Sequence, residues 1–136
     1  MSTIHSTMTA SIDSPIDIAS LRDRVAGQRD LLRRLLDVFH EQYPSQLALL
    51  RAAADEGAAA EMRRAAHRLI GTLSCFSATR AIAEARAVEQ AAAGNDIEAA
   101  RGGIASIERE VTRAVPLLTR LAAQGFDAPD AGRGGS

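Results

Sequence analysis

Between residues 18 and 121 the apolar positions recur three and four apart, the period of amphipathic helices, and no segment alternates as a strand would. A short stretch, Ile18 to Ala26, is predicted to be helical and to stop near Gly27. A long second helix is built on Leu32, Leu35, Leu36, Phe39, Tyr43, Leu47, Leu50 and Ala54. Pro44 removes one backbone donor from its middle, so a kink or a local break is expected there. The turn Asp55–Gly57 ends it. The third helix, about Ala58 to Phe76, carries the stripe Met62, Ala65, Ala66, Leu69 and Leu73. The fourth, Ala78 to about Ala93, is built on Ile82, Ala85, Val88 and Ala92. Gly94-Asn95-Asp96 then reads as a C-cap glycine followed by an N-cap. The fifth carries Ile97, Ile104, Ile107, Val111, Val115, Leu118 and Leu121, with Gly102-Gly103 and Pro116 as its weak points.

Short connections between long amphipathic helices favour antiparallel neighbours. The expected architecture is therefore all-α: an up-and-down antiparallel four-helix bundle with the short first helix as a cover. Residues 1–15 are expected to be a flexible lead, 16–124 the bundle domain, and 125–136 (GFDAPDAGRGGS) a disordered tail.

Composition narrows this picture without redirecting it. The chain has 136 residues, enough for one domain, with 3% aromatic residues, no Trp and 46% hydrophobic residues. Most of the apolar excess is Ala, which suits closely approaching helices better than a sandwich or barrel. A net charge of −1 gives no global field directed at nucleic acid or a membrane surface. All 16 basic residues are Arg. Cys75 is the only cysteine, so an internal disulfide and a thiolate metal cluster are excluded, and it is expected as a small buried residue. The first residues lack the basic start and apolar run of a signal peptide, and no apolar run reaches the roughly 20 residues that cross a bilayer. A reduced, cytoplasmic setting is expected.

Candidate chemistry concentrates at His67. Each helical residue advances about 100°, so His67 projects about 140° from the core direction set by Met62, Ala66, Leu69 and Leu73. Gly71 and Arg64, one turn on and one turn back, lie almost opposite the core, and Arg63 and Ser74 flank the same surface. An exposed imidazole has a nucleophilic nitrogen near neutral pH. Arg side chains stabilise a phosphoryl dianion through charge-assisted hydrogen bonds. By itself this geometry establishes exposure only; a surface His is most often a solvated polar residue, the reading that His5 and His40 receive. The three His are not spaced as metal ligands on one helix, no Glu-x-x-His pair falls at core positions, and no nucleotide-binding Gly loop is present.

The stretch Ala66 to Ala78 resembles the signature of histidine-phosphotransfer (HPt) domains: His67, Leu69 two residues on, Gly71 at the fourth position, and the small pair Ser77-Ala78. The resemblance continues in Gly27–Phe39 (GQRDLLRRLLDVF), Val88-Glu89 and Gly94-Asn95-Asp96, and covers roughly Ile18 to Leu121. It implies a phosphorelay carrier in which His67 accepts a phosphoryl group from a receiver-domain aspartyl phosphate and passes it to the Asp of a response regulator. It further implies Gly71 as clearance beside the imidazole, and receiver domains of a hybrid histidine kinase and a response regulator as partners. The chain would act as a monomer with no cofactor of its own and no autokinase activity, with Mg²⁺ on the partner receiver. The other reading is a module of the same fold that docks a receiver or another signalling protein without phosphotransfer. One position departs from the pattern: the family usually has Lys three residues after the histidine, where this chain has Ile70. Either Arg64 or Arg68 supplies the missing charge, with Arg64 preferred as the i−3 neighbour of His67, or phosphohistidine is less stabilised here than is usual in the family. Ile70 is expected either as an exposed contact for the partner or tucked against a neighbouring helix. Ser77 stands where the family usually has a glycine.

Overall fold

The structure, a computed structural model, describes residues 14–126. It is all helical there: α1 (Ile18–Arg24), α2 (Arg29–Asp55), α3 (Ala59–Ser74), α4 (Thr79–Ala93) and α5 (Ile97–Gln124). The long helices pack in a ring, α2 against α3 and α5, and α4 against α3 and α5. This is the up-and-down four-helix bundle with a short leading helix. The lead to residue 13, the tail from residue 127 and His5 lie outside the described residues.

The predicted stripes form one core. Leu32, Leu50, Met62, Ala66, Leu69, Ala85 and Ile107 are fully buried, and Leu21 of α1 joins them. Phe39 stacks on Tyr43 and meets Phe76 edge-on, with ring centroids 4.9 and 5.4 Å away.

Neither proline nor the glycine pair interrupts its helix. α2 runs unbroken through Pro44, and α5 through Gly102-Gly103 and Pro116. The carbonyls that lose a donor to the prolines, by the i−4 rule, belong to His40 and Thr112, both exposed. Gly103 has a packing role: a Cβ there would stand 2.5 Å from Val88 Cγ2, so its absence lets α4 and α5 approach.

The turns share one device. Each interhelical connection between α2 and α5 contains a residue with positive φ: Gly57 (65°), Ser77 (50°) and Asn95 (61°). Gly94 does cap α4, but with φ −87°, so Asn95 and not the glycine takes the left-handed conformation. Asp96 then caps α5 as expected, accepting from Ala99 N.

α1 docks on the α3–α4 turn. Asp17 caps α1 by accepting from Ser20 N, and its own N–H donates to Ser77 O at 2.9 Å. The Ser77 hydroxyl pairs with Ser20 Oγ at 2.8 Å and accepts from Arg24 Nε at 3.1 Å. At the other end, Gly125 (φ 83°) turns the chain so that Phe126, expected in the tail, is buried at 8% exposure.

Candidate functional site

His67 stands at the middle of α3 on its outer side. The stripe Met62–Ala66–Leu69–Leu73 pins the opposite side of the helix into the core, which fixes the direction in which residue 67 points. Its side chain is 76% exposed. The ring is nevertheless held: Nδ1 lies 2.9 Å from Oε2 of Glu89, which α4 presents with its side chain only 26% exposed. A carboxylate oxygen only accepts, so Nδ1 is the donor and the neutral ring keeps its lone pair on Nε2. Nε2 makes no hydrogen bond among the described residues. The arrangement is an exposed imidazole oriented by an acceptor, as in other His sites whose second nitrogen is fixed by a carboxylate.

Gly71, one turn further on, leaves the neighbouring surface empty: a Cβ there would meet nothing within 4 Å. Two open grooves run along α3 on either side of its outer ridge. The α4-side groove is lined by Ala60, Arg63, Arg64, His67, Arg68 and Glu89. The α2-side groove takes Arg64 and Arg68 again, now with Gln46, Leu49, Glu56 and Glu61 among its lining. Arg64 donates from Nη2 to Glu61 Oε2 at 2.5 Å.

The structure thus brings His67, Arg63, Arg64 and Arg68 into one groove and leaves three expected site residues out of its lining: Gly71 beside it, Ile70 and Ser74. Ile70 is half-buried and packed on the core, the second of its two expected placements. Ser74 turns its hydroxyl to the Ile70 carbonyl at 2.7 Å, inside its own helix. Cys75 corrects the expectation of burial: it is exposed. It lies two residues, about 200° of helical rotation, past the buried Leu73, on the same side as Gly71. His40 stays apart from this surface, exposed and edge-on to Phe39.

Sequence reasoning missed three contributors. Glu89 was visible only as part of a resemblance; its position on α4 beside Val88, which is buried, is the signal that could have placed it on the α3-facing flank. Val38 and Leu49 of α2 are large apolar residues left 46% and 55% exposed. Both line grooves flanking α3, Leu49 with Arg64 and Arg68, Val38 with Thr72 and Cys75. Tyr43, on the α2–α5 side, is pushed up to about 12 by burial, with the charge of Glu108 adding and that of Arg51 opposing. Among the described residues no group of three or more His, Cys, Asp or Glu side chains is placed to hold a metal ion, and no helix is long and apolar enough to cross a membrane.

The described residues thus form a helical bundle with an exposed imidazole, held by one carboxylate, beside a cluster of guanidinium groups. The family model of the Hpt domain matches residues 34–122, from the first turns of α2 almost to the end of α5, with His67 and Glu89 inside the match. The chain belongs to the Hpt domain family, whose members serve histidine phosphotransfer in phosphorelays. No curated protein and no solved structure matches the chain significantly.

Proposed function

We propose that this protein is a phosphorelay carrier in which Nε2 of His67 receives a phosphoryl group from the aspartyl phosphate of one receiver domain and delivers it to the Asp of another. The observation that carries the reading is the 2.9 Å contact of Nδ1 with Glu89, which orients a largely exposed ring with its free nitrogen outward. In the forward step the Nε2 lone pair attacks phosphorus. The P–O bond of the acyl phosphate breaks, its electron pair returns to the receiver's Asp carboxylate, and an Nε2–P bond forms. The Nδ1 proton stays on the ring, between Nδ1 and Glu89. Delivery reverses these changes on the second receiver. Mg²⁺ bound to the receiver would neutralise phosphoryl charge, and this chain's own residues would supply the nucleophile and its surroundings.

Docking uses the outer face of α3 and the adjoining strip of α2. Gly71 clears the approach, and Val38 and Leu49 supply apolar contact area along the α2 flank. The partners in this reading are receivers of a hybrid histidine kinase and of a response regulator, met by a monomer in the cytoplasm, and the chain has no autokinase activity. The test is transfer of radiolabelled phosphate from a purified phosphorylated receiver. His67→Gln is expected to abolish labelling with the helical circular dichroism spectrum retained; labelling of that variant at the wild-type level overturns the reading.

A further inference from the structure

Phosphorylation of His67 places a dianion where the charged neighbours are Arg63, Arg64 and Arg68 of α3 and Glu89 of α4. Helical side chains lean toward the N-terminus, so the imidazole leans over residues 63 and 64. Those two guanidinium groups differ in what they are doing. Arg63 makes no ion pair or hydrogen bond among the described residues, whereas Arg64 is tied to Glu61. Glu61 lines only the α2-side groove and His67 only the α4-side groove, while Arg64 lines both. It sits three residues after the one and three before the other, within side-chain reach of either.

We propose that Glu61 and phosphorylated His67 compete for Arg64, making Glu61 a positioning residue that sets how long the phosphoryl group is held. The inference rests on the phosphocarrier reading above. Glu61 and Arg64 have side chains 60% and 65% exposed, an i,i+3 surface pair of the kind that contributes little. A phosphoryl dianion offers the guanidinium two charge-assisted hydrogen bonds at once. On phosphorylation Arg64 therefore leaves Glu61 and crosses the ridge of α3; on transfer it returns. Before phosphorylation the pair with Glu61 draws Arg64 away from the imidazole and keeps the nucleophile open to the donor. Ile70, apolar and half-buried, brings no charge that would make this exchange redundant.

The test uses the full chain with potassium phosphoramidate, so that no cognate kinase is required. Nε2 attacks phosphorus, the P–N bond breaks and ammonia leaves. Decay returns the electron pair of the Nε2–P bond to the ring as water oxygen bonds phosphorus and inorganic phosphate is released. Phosphohistidine decay is followed by ³¹P NMR and the Arg64 Nε–H by ¹H–¹⁵N correlation, with circular dichroism as the folding control. We expect the Arg64 signal to move on phosphorylation, Arg64→Ala to shorten the half-life about twofold or more, and Glu61→Gln to lengthen it about twofold. Because Glu61→Gln also removes a nearby negative charge, it is repeated on the Arg64→Ala background, where its effect should vanish. An Arg64 signal indifferent to phosphorylation, or an equal Glu61→Gln effect on both backgrounds, overturns the competition and leaves the carrier reading standing. Failure of wild-type protein to label more than His67→Gln overturns both.

Discussion

Two polar residues of the α3 region are held in opposite ways. His67, in the middle of the helix, is 76% exposed in its side chain and has a single hydrogen-bond partner, Glu89. Ser77, just beyond the helix end, is 5% exposed, sits at φ 50°, and has its hydroxyl bonded to Ser20 and Arg24 and its carbonyl to the Asp17 N–H. The difference separates two uses of polarity. In the phosphocarrier reading His67 must be oriented yet left reactive, which one contact and open surroundings allow. A structural group in an unfavourable backbone region persists only where neighbours over-determine it. The largest test of this contrast is His67→Gln. Labelling should be lost outright while unfolding free energy, measured by urea titration, stays within about 0.5 kcal/mol of wild type, as for surface changes away from structural features.

Ser77 should show the reverse. Ser77→Ala keeps the left-handed backbone strain and removes the hydroxyl that joins α1 to the turn, with an expected loss of about 1–3 kcal/mol. Ser77→Gly loses the same bonds but relieves roughly 1–2 kcal/mol of left-handed strain, so it should be the more stable of the two. Neither should change the labelling of His67 well below the melting temperature. Equal stability of the two variants would show that the left-handed strain at Ser77 is negligible.

The contrast also marks what was legible in the chain. The apolar stripes placed every helix to within a few residues, because burial of one face is written in the spacing itself; Met62, Ala66, Leu69 and Leu73 sufficed to direct His67 outward. Tertiary partners are not written there. Nothing in the period of α4 says that Glu89 meets a ring 22 residues away in sequence, or that Arg64 spends its charge on Glu61. A local break at Pro44, one of the two outcomes expected there, is absent: α2 continues through it, and Pro44 and Pro116 both face solvent. Cys75 looked buried by residue type, while the angular position that exposes it was available from the same wheel that placed His67.

A titration sharpens the structural side of the comparison. The Tyr43 phenol, raised to about 12 mainly by burial, holds its proton more tightly folded than unfolded, where it titrates near 10.0. Its contribution is therefore fully present below pH about 10 and falls away as the pH rises toward 12. Because the phenol is only half-buried, the fall should be about 1 kcal/mol or less. Tyr43→Phe should remove that component from the alkaline limb of the stability profile; an unchanged limb would assign it to other groups.

A small stabilising change offers the finest division between the two kinds of site. Gly71 is a helix-interior glycine on the His67 side, where a Cβ would find open space. Gly71→Ala should therefore stabilise the helix, by about 0.5–1 kcal/mol, since alanine loses less backbone entropy and clashes with nothing in the free protein. If the empty surface exists for an approaching receiver, the same methyl group should slow phosphotransfer from that receiver severalfold. A small donor such as phosphoramidate, which needs no docking face, should react at the wild-type rate. The opposite signs matter: a residue retained for folding would lose both stability and transfer together, whereas one retained for clearance trades a more stable helix for a slower encounter. Unchanged receiver transfer in a stabilised Gly71→Ala protein would move the docking contact off this part of α3.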